Sequence, residues 1–529
     1  MTIHALDLFI ILSYIFLITL LGMRLGGRVR TSRDYFLAGY ALPWWAVCLS
    51  IVATETSTLT FISLPGLAYI SNLNFLQLAG GYIIGRIFVA FLFLPAYVRG
   101  DMCTSYELLG SRFGPNVRTL SSLIFLFTRL LADGVRLFAT AIPLSIMTGW
   151  SMGLCITFLA VATTIYTSIG GIRSVVWIDV IQTFISVGGA VIAGFFILNM
   201  LPDGWRSVLE IAGTDKFQIF NLSFNKPLAD FVKINYTLPA SILGGAFLSM
   251  ASHGTDQIIV QRLLACRSTG DARKALIASG FFVLVQFAVF LLLGLLLYAF
   301  YQGLPMRSDE ILPRFIIEEL PHGLSGFIIA SVFAAAMSTL SSSLNSLASS
   351  TMYDLFVPRL KLSERKKVQL SRLLTIAWGI IFIGGAMLFQ KKENPVVELG
   401  LAISSFTYGG VLGAFFLAAG KNNYRESDIL VSMWGTILFM TWFIGPDLVV
   451  RIILLAIISI AGAWIFIKIK GLHRLSQLVL SGAAVILFIF GDSPQIAWPW
   501  YVPIGTSIMM ILGNLSRRGI DDKTRRFAK

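Results

Sequence analysis

Hydroxyl side chains crowd one apolar segment of the chain, residues 324–352, which carries no charged residue. Ser338 and Ser342 are four residues apart and therefore share one face of a helix, and Ser341 lies beside them. Hard cations such as sodium bind several oxygen ligands, which hydroxyl groups and free backbone carbonyls can supply. The same composition also suits hydroxyl groups that pack one membrane helix against another, so this segment alone leaves two interpretations open.

Two further apolar segments, residues 44–70 and 239–262, are each interrupted by a polar run. The first run extends from Ala53 to Thr60, and the second extends from Ser249 to Asp256. Polar runs of this kind cost several kcal/mol in hydrocarbon unless they line a site. Interrupted helices at corresponding positions in two halves of a chain indicate a central binding site, although helix packing by Ser and Thr is the alternative.

Two arginines, Arg129 and Arg136, lie seven residues apart on one face of the apolar segment 119–148, with Asp133 between them. An arginine within a membrane segment is a functional-site candidate, and its planar guanidinium group suits the two oxygens of a carboxylate. Asp133 can equally neutralise an arginine as a structural ion pair. We therefore expect Asp133 to pair with one arginine and to leave the other free for a carboxylate of the substrate.

The composition of the chain shows why polar residues in these segments are informative. Of the 529 residues, 56% are hydrophobic and only 13% are charged, and the mean hydropathy is +0.80. Soluble domains carry roughly 25% charged residues, so most of this chain avoids water. The hydropathy pattern predicts an all-α polytopic membrane protein with about 13–15 transmembrane helices, since a run of about 20 apolar residues can cross a bilayer.

The predicted helices form one membrane domain, residues 1–529, without a soluble module. An extra helix at residues 5–23 precedes two groups of five helices, at residues 44–200 and 239–419, and additional helices follow at residues 428–514. Because five is odd, the second group begins from the opposite side of the membrane. This parity predicts an inverted repeat, which many secondary transporters share.

The net charge of +14 has a distribution that is typical of membrane topology. If the N-terminus lies outside, most of the Lys and Arg residues fall in cytoplasmic loops and in the tail from Arg517 to Lys529. This asymmetry is the positive-inside rule, so we expect the N-terminus outside and the C-terminus inside, in the plasma (inner) membrane. The sequence shows no basic groove or base-stacking platform, so the charge does not indicate nucleic-acid binding.

Enzyme, ATPase and channel functions find no support in the sequence motifs. The four histidines and the carboxylates show no metal-ligand spacing, no Gly-rich loop followed by Lys is present, and no filter motif is visible. We expect a transporter that is not an enzyme, with no obligatory protein partner. A membrane-embedded solute sensor is the alternative, although the tail after residue 514 holds no signalling module.

Four blocks of the sequence resemble the sodium:solute symporter family, which includes bacterial sugar, proline, pantothenate and sialic-acid symporters and animal glucose and iodide carriers. The blocks are, in order, Asp34–Trp45, Ala53–Gly66, Gly170–Gln182, and Gly254–Arg262 together with Ala334–Ser346. The closing segment Trp498–Thr506 is also similar, whereas residues 448–491 depart from the family as two inserted helices. The resemblance implies a leucine-transporter-type 5+5 inverted repeat and a sodium-coupled symporter that imports a small organic solute by alternating access.

The resemblance also implies where sodium and substrate bind. The general sodium site of the family corresponds here to oxygens of Ala53, Thr56, Ala335, Ser338 and Thr339. Members that carry two sodium ions use an aspartate that matches Asp179, with serines that match Ser338, Ser341 and Ser342; an ordinary charge at the helix end is the alternative for Asp179. Substrate contacts of the family fall near Glu55, Ser57, Thr60, Gln77 and Ser249, and Arg129 and Arg136 are added to this set as the intramembrane arginines described above. A carboxylate-binding arginine in sialic-acid symporters favours an organic anion as the substrate, ahead of a sugar.

Overall fold

The computed structural model describes residues 4–388, 396–444 and 496–527. Within these residues the secondary structure is helical, apart from one isolated bridge between Leu42 and Cys266. The helices are α1 (Ala5–Leu25), α2 (Ser32–Leu37), α3 (Trp44–Glu55), α4 (Thr58–Ile70), α5 (Leu76–Leu92), α6 (Leu94–Arg99), α7 (Tyr106–Phe113), α8 (Pro115–Thr148), α9 (Met152–Met200), α10 (Trp205–Lys216), α11 (Leu228–Phe231), α12 (Leu238–Gly254), α13 (Gln257–Leu264), α14 (Thr269–Phe300), α15 (Ile311–Glu318), α16 (Leu324–Ser350), α17 (Glu364–Met387), α18 (Val396–Ala419), α19 (Glu426–Ile444) and α20 (Tyr501–Phe527). The inserted helices predicted at residues 448–491 lie outside the described residues.

Seven of the described helices are long and apolar enough to cross a membrane, and the bent pair α3 and α4 gives an eighth span. Helix α9 extends over 49 residues, which is about 74 Å of α-helix and more than twice the hydrocarbon thickness. Its backbone leaves the helical conformation at Gly171, where φ is +58°. Tyr166 packs against Gly22 of α1, and Ser174 Oγ donates to the Gly22 carbonyl at 2.6 Å. The chain therefore reverses direction at Gly171, and α9 forms two spans.

The first polar run breaks its helix, as predicted. Helix α3 ends at Glu55, α4 begins at Thr58, and the two helices are bent by 63°. Thr56 leaves the helical conformation with a ψ of 80°, and Ser57 caps α4 by accepting a hydrogen bond from the Thr60 amide at 3.4 Å. Because Ser and Thr side chains favour caps over helix interiors, the sequence encodes this break locally.

The second polar run also breaks its helix, which confirms the second predicted interruption. Helix α12 ends at Gly254, and α13 begins at Gln257. Asp256 caps α13 by accepting a hydrogen bond from the Ile258 amide at 2.9 Å. Each broken helix therefore brings a capped helix N-terminus and the carbonyl groups of a helix C-terminus into the bundle.

Helix α16, with the hydroxyl cluster, is buried along nearly its whole length from Ser325 to Ser350. Gly323 precedes the helix and has no side chain that could cap its N-terminus. The side chain of Asp7, in α1, caps it instead. Asp7 Oδ1 accepts hydrogen bonds from the amides of Gly323 and Gly326 at 2.6 and 2.9 Å, and from Ser325 Oγ at 2.8 Å. The extra N-terminal helix thus holds one end of the helix that carries the predicted sodium ligands.

The other end of α16 is held by a second buried carboxylate, Asp354, in the π-helical turn Thr351–Phe356. Asp354 Oδ1 accepts hydrogen bonds from Thr104 Oγ1 at 2.6 Å and from Arg118 Nε at 2.8 Å. Its Oδ2 accepts a hydrogen bond from Ser350 Oγ at 2.7 Å. Both ends of α16 are therefore fixed, and the hydroxyl cluster between them has a defined position against α3.

Candidate functional site

The oxygens predicted for the general sodium site converge where α16 passes the first helix break. Ser338 Oγ lies 3.0 Å from the Ala53 carbonyl oxygen and 2.9 Å from the Ala335 carbonyl oxygen. Thr339 Oγ1 lies 3.2 Å from the same Ala335 oxygen and 3.4 Å from the Thr54 carbonyl oxygen. Four of the five predicted residues therefore contribute neighbouring neutral oxygens, a ligand set that suits a hard monovalent cation.

Thr56, the fifth predicted residue, lies at the break itself. Its hydroxyl oxygen is 2.8 Å from the Val52 carbonyl oxygen and accepts a hydrogen bond from Gln286 of α14. Its backbone is non-helical, with a ψ of 80°, so its carbonyl belongs to the unpaired groups that a helix C-terminus presents. The carbonyl, rather than the hydroxyl, is the group through which Thr56 fits the predicted ligand set.

Asp179, predicted for a second sodium site, is buried in the second span of α9. Its Oδ2 accepts hydrogen bonds from Ser50 Oγ at 2.5 Å and from Arg262 Nη2 at 3.1 Å. The same guanidinium group also donates a hydrogen bond to Ser342 Oγ. Arg262 therefore lies between Asp179 and Ser342, at the position where the family resemblance implies a second sodium ion.

The three serines predicted with Asp179 form a continuous group on α16. Ser341 Oγ and Ser342 Oγ lie 3.0 and 2.6 Å from the Ser338 carbonyl oxygen. Among the described contacts, Asp179 reaches this group through Arg262 rather than directly. Arg262 and Ser50 are not among the residues predicted from the sequence. Arg262 is the last residue of the block Gly254–Arg262 that resembles the family, and this position is the one sequence signal for it.

A small cavity lies beside the first helix break. Apolar side chains of α8, α9 and α16 form part of its wall, and its polar lining consists of Ser57, Thr58, Asp133, Arg136, Thr140, Thr163 and Thr339. Thr339 also belongs to the predicted sodium ligands, so the cavity and the sodium oxygens adjoin one another. Two of the predicted substrate contacts, Ser57 and Arg136, are thus brought to the same cavity.

Arg136 lines this cavity beside its counter-charge, Asp133. Its Nη1 pairs with Asp133 Oδ1 at 2.5 Å, and Asp133 Oδ2 accepts a hydrogen bond from Ser343 Oγ at 2.5 Å. The Nε of Arg136 is buried and has no hydrogen-bond partner among the described residues, although 23% of the side chain is exposed. Asp133 therefore orients the guanidinium group and leaves donor capacity for an acceptor in the cavity.

Arg129, the other predicted arginine, is engaged at the second helix break. It pairs with Asp256 and donates a hydrogen bond to Tyr408 Oη at 2.5 Å, and Tyr408 Oη donates to Asp256 Oδ2 at 2.8 Å. Its distance to Asp133 is 3.8 Å, longer than the Asp133 contact with Arg136. The expectation that one arginine stays free of a carboxylate is wrong, because Asp256 supplies the second partner from a distant part of the chain.

Glu55, Thr60 and Ser249 belong to a polar group outside the lining of this cavity. Glu55 forms an ion pair with Arg86, and its carboxylate also contacts the imidazole of His253. Thr60 Oγ1 donates to the Glu55 carbonyl at 3.0 Å, and Ser249 Oγ donates to a backbone carbonyl of α5 at 3.0 Å. The side chains of these three predicted residues are therefore bonded to other groups of the protein near the first helix break, and they do not line the cavity.

Gln77, the remaining predicted contact, lies in the first turn of α5. Its Nε2 donates to the carbonyls of Asn74 and Tyr236 at 3.1 and 3.0 Å. Its Oε1 accepts a hydrogen bond from the Asn221 amide at 3.3 Å. Gln77 thus joins α5 to the connection before α12, and it is not among the residues that line the cavity.

Two broken helices around a central helix that carries hydroxyl oxygens define a secondary transporter of the membrane. The model of the "Sodium:solute symporter family" matches residues 35–435, and the chain belongs to this family. The sodium/sialic acid symporter SiaT of Proteus mirabilis is 30% identical over 420 residues, which cover 77% of this chain and 83% of that protein. The human sodium/iodide cotransporter is 29% identical over 438 residues, which cover 80% of this chain and 66% of that protein.

A solved structure of a sodium-coupled sialic acid symporter, described as a substrate-bound outward-open state with a novel sodium site, has the same fold. It matches with a TM-score of 0.80 and 25% identity, over 97% of this chain and 98% of that one. The all-α, leucine-transporter-type 5+5 inverted-repeat fold expected from the sequence is confirmed. The family also confirms sodium as the coupling ion and a transporter rather than a sensor.

Proposed function

We propose that this chain imports a small organic anion together with sodium, and that Arg136 binds a carboxylate of that anion. The observation that carries the proposal is the position of Arg136, which lines a cavity beside the first helix break and whose Nε has no hydrogen-bond partner among the described residues. A guanidinium group can donate two parallel hydrogen bonds to one carboxylate. Ligand sites are commonly lined by apolar side chains with a few polar groups among them, and the lining of this cavity likewise combines apolar and polar side chains.

Known relatives support an anionic solute. The two relatives named above carry iodide and sialic acid, and each of these solutes is an anion. The hydroxyl groups of Ser57, Thr58 and Thr140 line the same cavity and can bind neutral polar groups of the solute. We infer a hydroxylated or amide-bearing carboxylic acid as the substrate class.

Alternating access in this proposal depends on the two broken helices. Ser57, at the first break, lines the cavity, while the Ala53 carbonyl, one helical turn earlier, contacts Ser338 in the sodium set. Solute and sodium would therefore favour the same arrangement of α3 and α4 against α16, which couples their binding. Both sites come from one chain, so the proposal requires no protein partner. In the proposed topology the chain lies in the plasma (inner) membrane, with the N-terminus outside the cell and the basic tail on the cytoplasmic side.

Thermal unfolding of the purified protein tests the proposal. Sodium should raise the unfolding temperature, and a carboxylic acid should raise it further, whereas the amide of the same acid should not. A ligand at 100 times its dissociation constant contributes about 2.7 kcal/mol of stability, which is readily measured. A panel that pairs sialic acid and short hydroxy acids with their neutral analogues covers the proposed class.

Variants of Arg136 identify the binding group. Arg136→Gln should abolish the stabilisation by the acid and keep the stabilisation by sodium, and Arg136→Lys should give an intermediate result because it keeps the charge but loses the fork. Arg206→Gln is a matched control, since Arg206 is 79% exposed and pairs with Glu210 on the surface. Equal stabilisation of wild type and Arg136→Gln by a neutral sugar would contradict an anionic substrate.

A further inference from the structure

We propose that Arg262 is an internal competitor of sodium: its guanidinium group occupies the second cation position beside Asp179, and sodium binds there only after Arg262 is displaced. The inference rests on the proposed sodium-coupled function and adds a residue that sets how many sodium ions bind. It makes the number of bound sodium ions depend on the position of α13, the second half of a broken helix.

The contacts of Arg262 are those of a cation in an oxygen cage. Its Nε donates to Ser50 Oγ at 2.8 Å and its Nη1 to the Ile258 carbonyl at 2.7 Å. Its Nη2 donates to Asp179 Oδ2 at 3.1 Å and to Ser342 Oγ. These oxygens come from α3, α9, α13 and α16, and hydroxyl, carbonyl and carboxylate oxygens are also the ligands that hard cations bind.

The charges around Arg262 allow one cation at a time. Arg262 and Asp179 are both fully buried, with 0% exposure of either side chain, and they form an ion pair. A buried charge that loses its partner is strongly destabilising, because it is cut off from water. A sodium ion on Asp179 would leave Arg262 without its counter-charge in this position, so sodium entry and departure of the guanidinium group must occur together.

The carboxylate of Asp179 has one oxygen atom that is available to a second cation. Its Oδ1 is buried and has no hydrogen-bond partner among the described residues, whereas Oδ2 serves both Ser50 and Arg262. Buried polar atoms are nearly always paired, so an unpaired carboxylate oxygen beside an occupied one indicates a position that another partner can use. Departure of Arg262 would offer both carboxylate oxygens to a new cation.

Ser342 connects this position to the general sodium site. Ser342 Oγ accepts a hydrogen bond from Arg262, lies 2.6 Å from the Ser338 carbonyl oxygen and lies 3.1 Å from Thr54 Oγ1. A movement of α13 would withdraw Arg262 from Ser342 and so release an oxygen one turn from Ser338. Arg262 thereby neutralises Asp179 in states without a second sodium ion. This neutralisation lowers the free energy that the unloaded transporter needs for its return to the outward-facing state.

Sodium titrations of thermal stability, without any solute, count the bound ions. The slope of the stabilisation against the logarithm of sodium concentration gives the number of ions bound to the folded protein, with choline replacing sodium at constant ionic strength. We expect a slope of about one ion for wild type and about two for Arg262→Gln. Arg262→Lys keeps a tethered cation and should retain the wild-type slope.

The Asp179→Asn/Arg262→Gln double variant removes both charges together and should return the slope to about one ion. If Arg262→Gln fails to fold, Asp179→Asn decides: its slope should equal that of wild type, because Arg262 already excludes the second ion. A wild-type slope of two that Asp179→Asn lowers to one would overturn the proposal, as would an Arg262→Gln slope of one. Absence of any sodium effect on wild type would instead contradict the proposed sodium coupling.

Discussion

Ser338→Ala removes one oxygen from the proposed general sodium site and should raise the sodium concentration for half-maximal uptake about five-fold. Ser338 is fully buried, and its Oγ lies within 3.0 Å of the Ala53 and Ala335 carbonyl oxygens. A neutral oxygen contact of this kind contributes about 1 kcal/mol, and 1.4 kcal/mol corresponds to a factor of about ten in affinity. The estimate of five-fold follows directly from these two values.

Uptake of the solute into proteoliposomes at varied external sodium measures this effect, with the unfolding temperature recorded in parallel. Ser346→Ala is a matched control, because Ser346 is fully buried on the same helix and its Oγ lies 3.0 Å from the Ser343 carbonyl oxygen. This control removes a comparable hydroxyl away from the helix break, so its sodium dependence should equal that of wild type. The same half-maximal sodium concentration in Ser338→Ala, Ser346→Ala and wild type would show that sodium binds elsewhere.

Three further predictions concern topology, the cap of α16 and the second break. In the variant Lys361→Cys, the new cysteine lies between α16 and α17 and should be labelled by a membrane-impermeant reagent only after the cells are opened. The four native cysteines should react slowly, because all four are buried and burial raises the pKa of Cys103 to about 11. Asp7→Ala should lower stability by about 2 kcal/mol, because it leaves the N-terminus of α16 without its cap; unchanged thermal unfolding would contradict this role. Arg129→Met should destabilise the protein by about 3–5 kcal/mol, because it leaves Asp256 buried without its cation, and Arg129→Met/Asp256→Leu should recover part of that loss.

Features that depend on neighbouring residues could be predicted from the sequence. The polar runs at Ala53–Thr60 and Ser249–Asp256 contain the Ser, Thr and Asp residues that cap new helices, so both breaks follow from local chemistry. The hydroxyl cluster on α16 follows from composition. The family resemblance then brought Ala53 and Ala335 into one ligand set with Ser338, although they are far apart in sequence.

Pairings between distant helices could not be predicted in the same way. Asp133 was the natural partner for both arginines, because it is four and three residues from them on one helix face. In the fold, Asp256 approaches Arg129 from 127 residues away, and Asp179 approaches Arg262 from 83 residues away. Such pairs depend on how the broken helices cross α8 and α9, and residue spacing within one helix carries no information on that crossing.

The charges around the cavity give a physical reason for coupling. Arg136 is balanced by Asp133 and Arg129 by Asp256, so a bound anion would add one unbalanced negative charge. The adjoining oxygens of Ser338 and Thr339 are neutral, so a sodium ion there would supply the missing positive charge. Opposite unit charges about 4 Å apart attract by about 4 kcal/mol at an effective dielectric constant of about 20, and by less as their separation grows; each 1.4 kcal/mol corresponds to a factor of about ten in affinity. Because such coupling is reciprocal, each substrate would bind weakly without the other, and this mutual dependence is what a symporter requires.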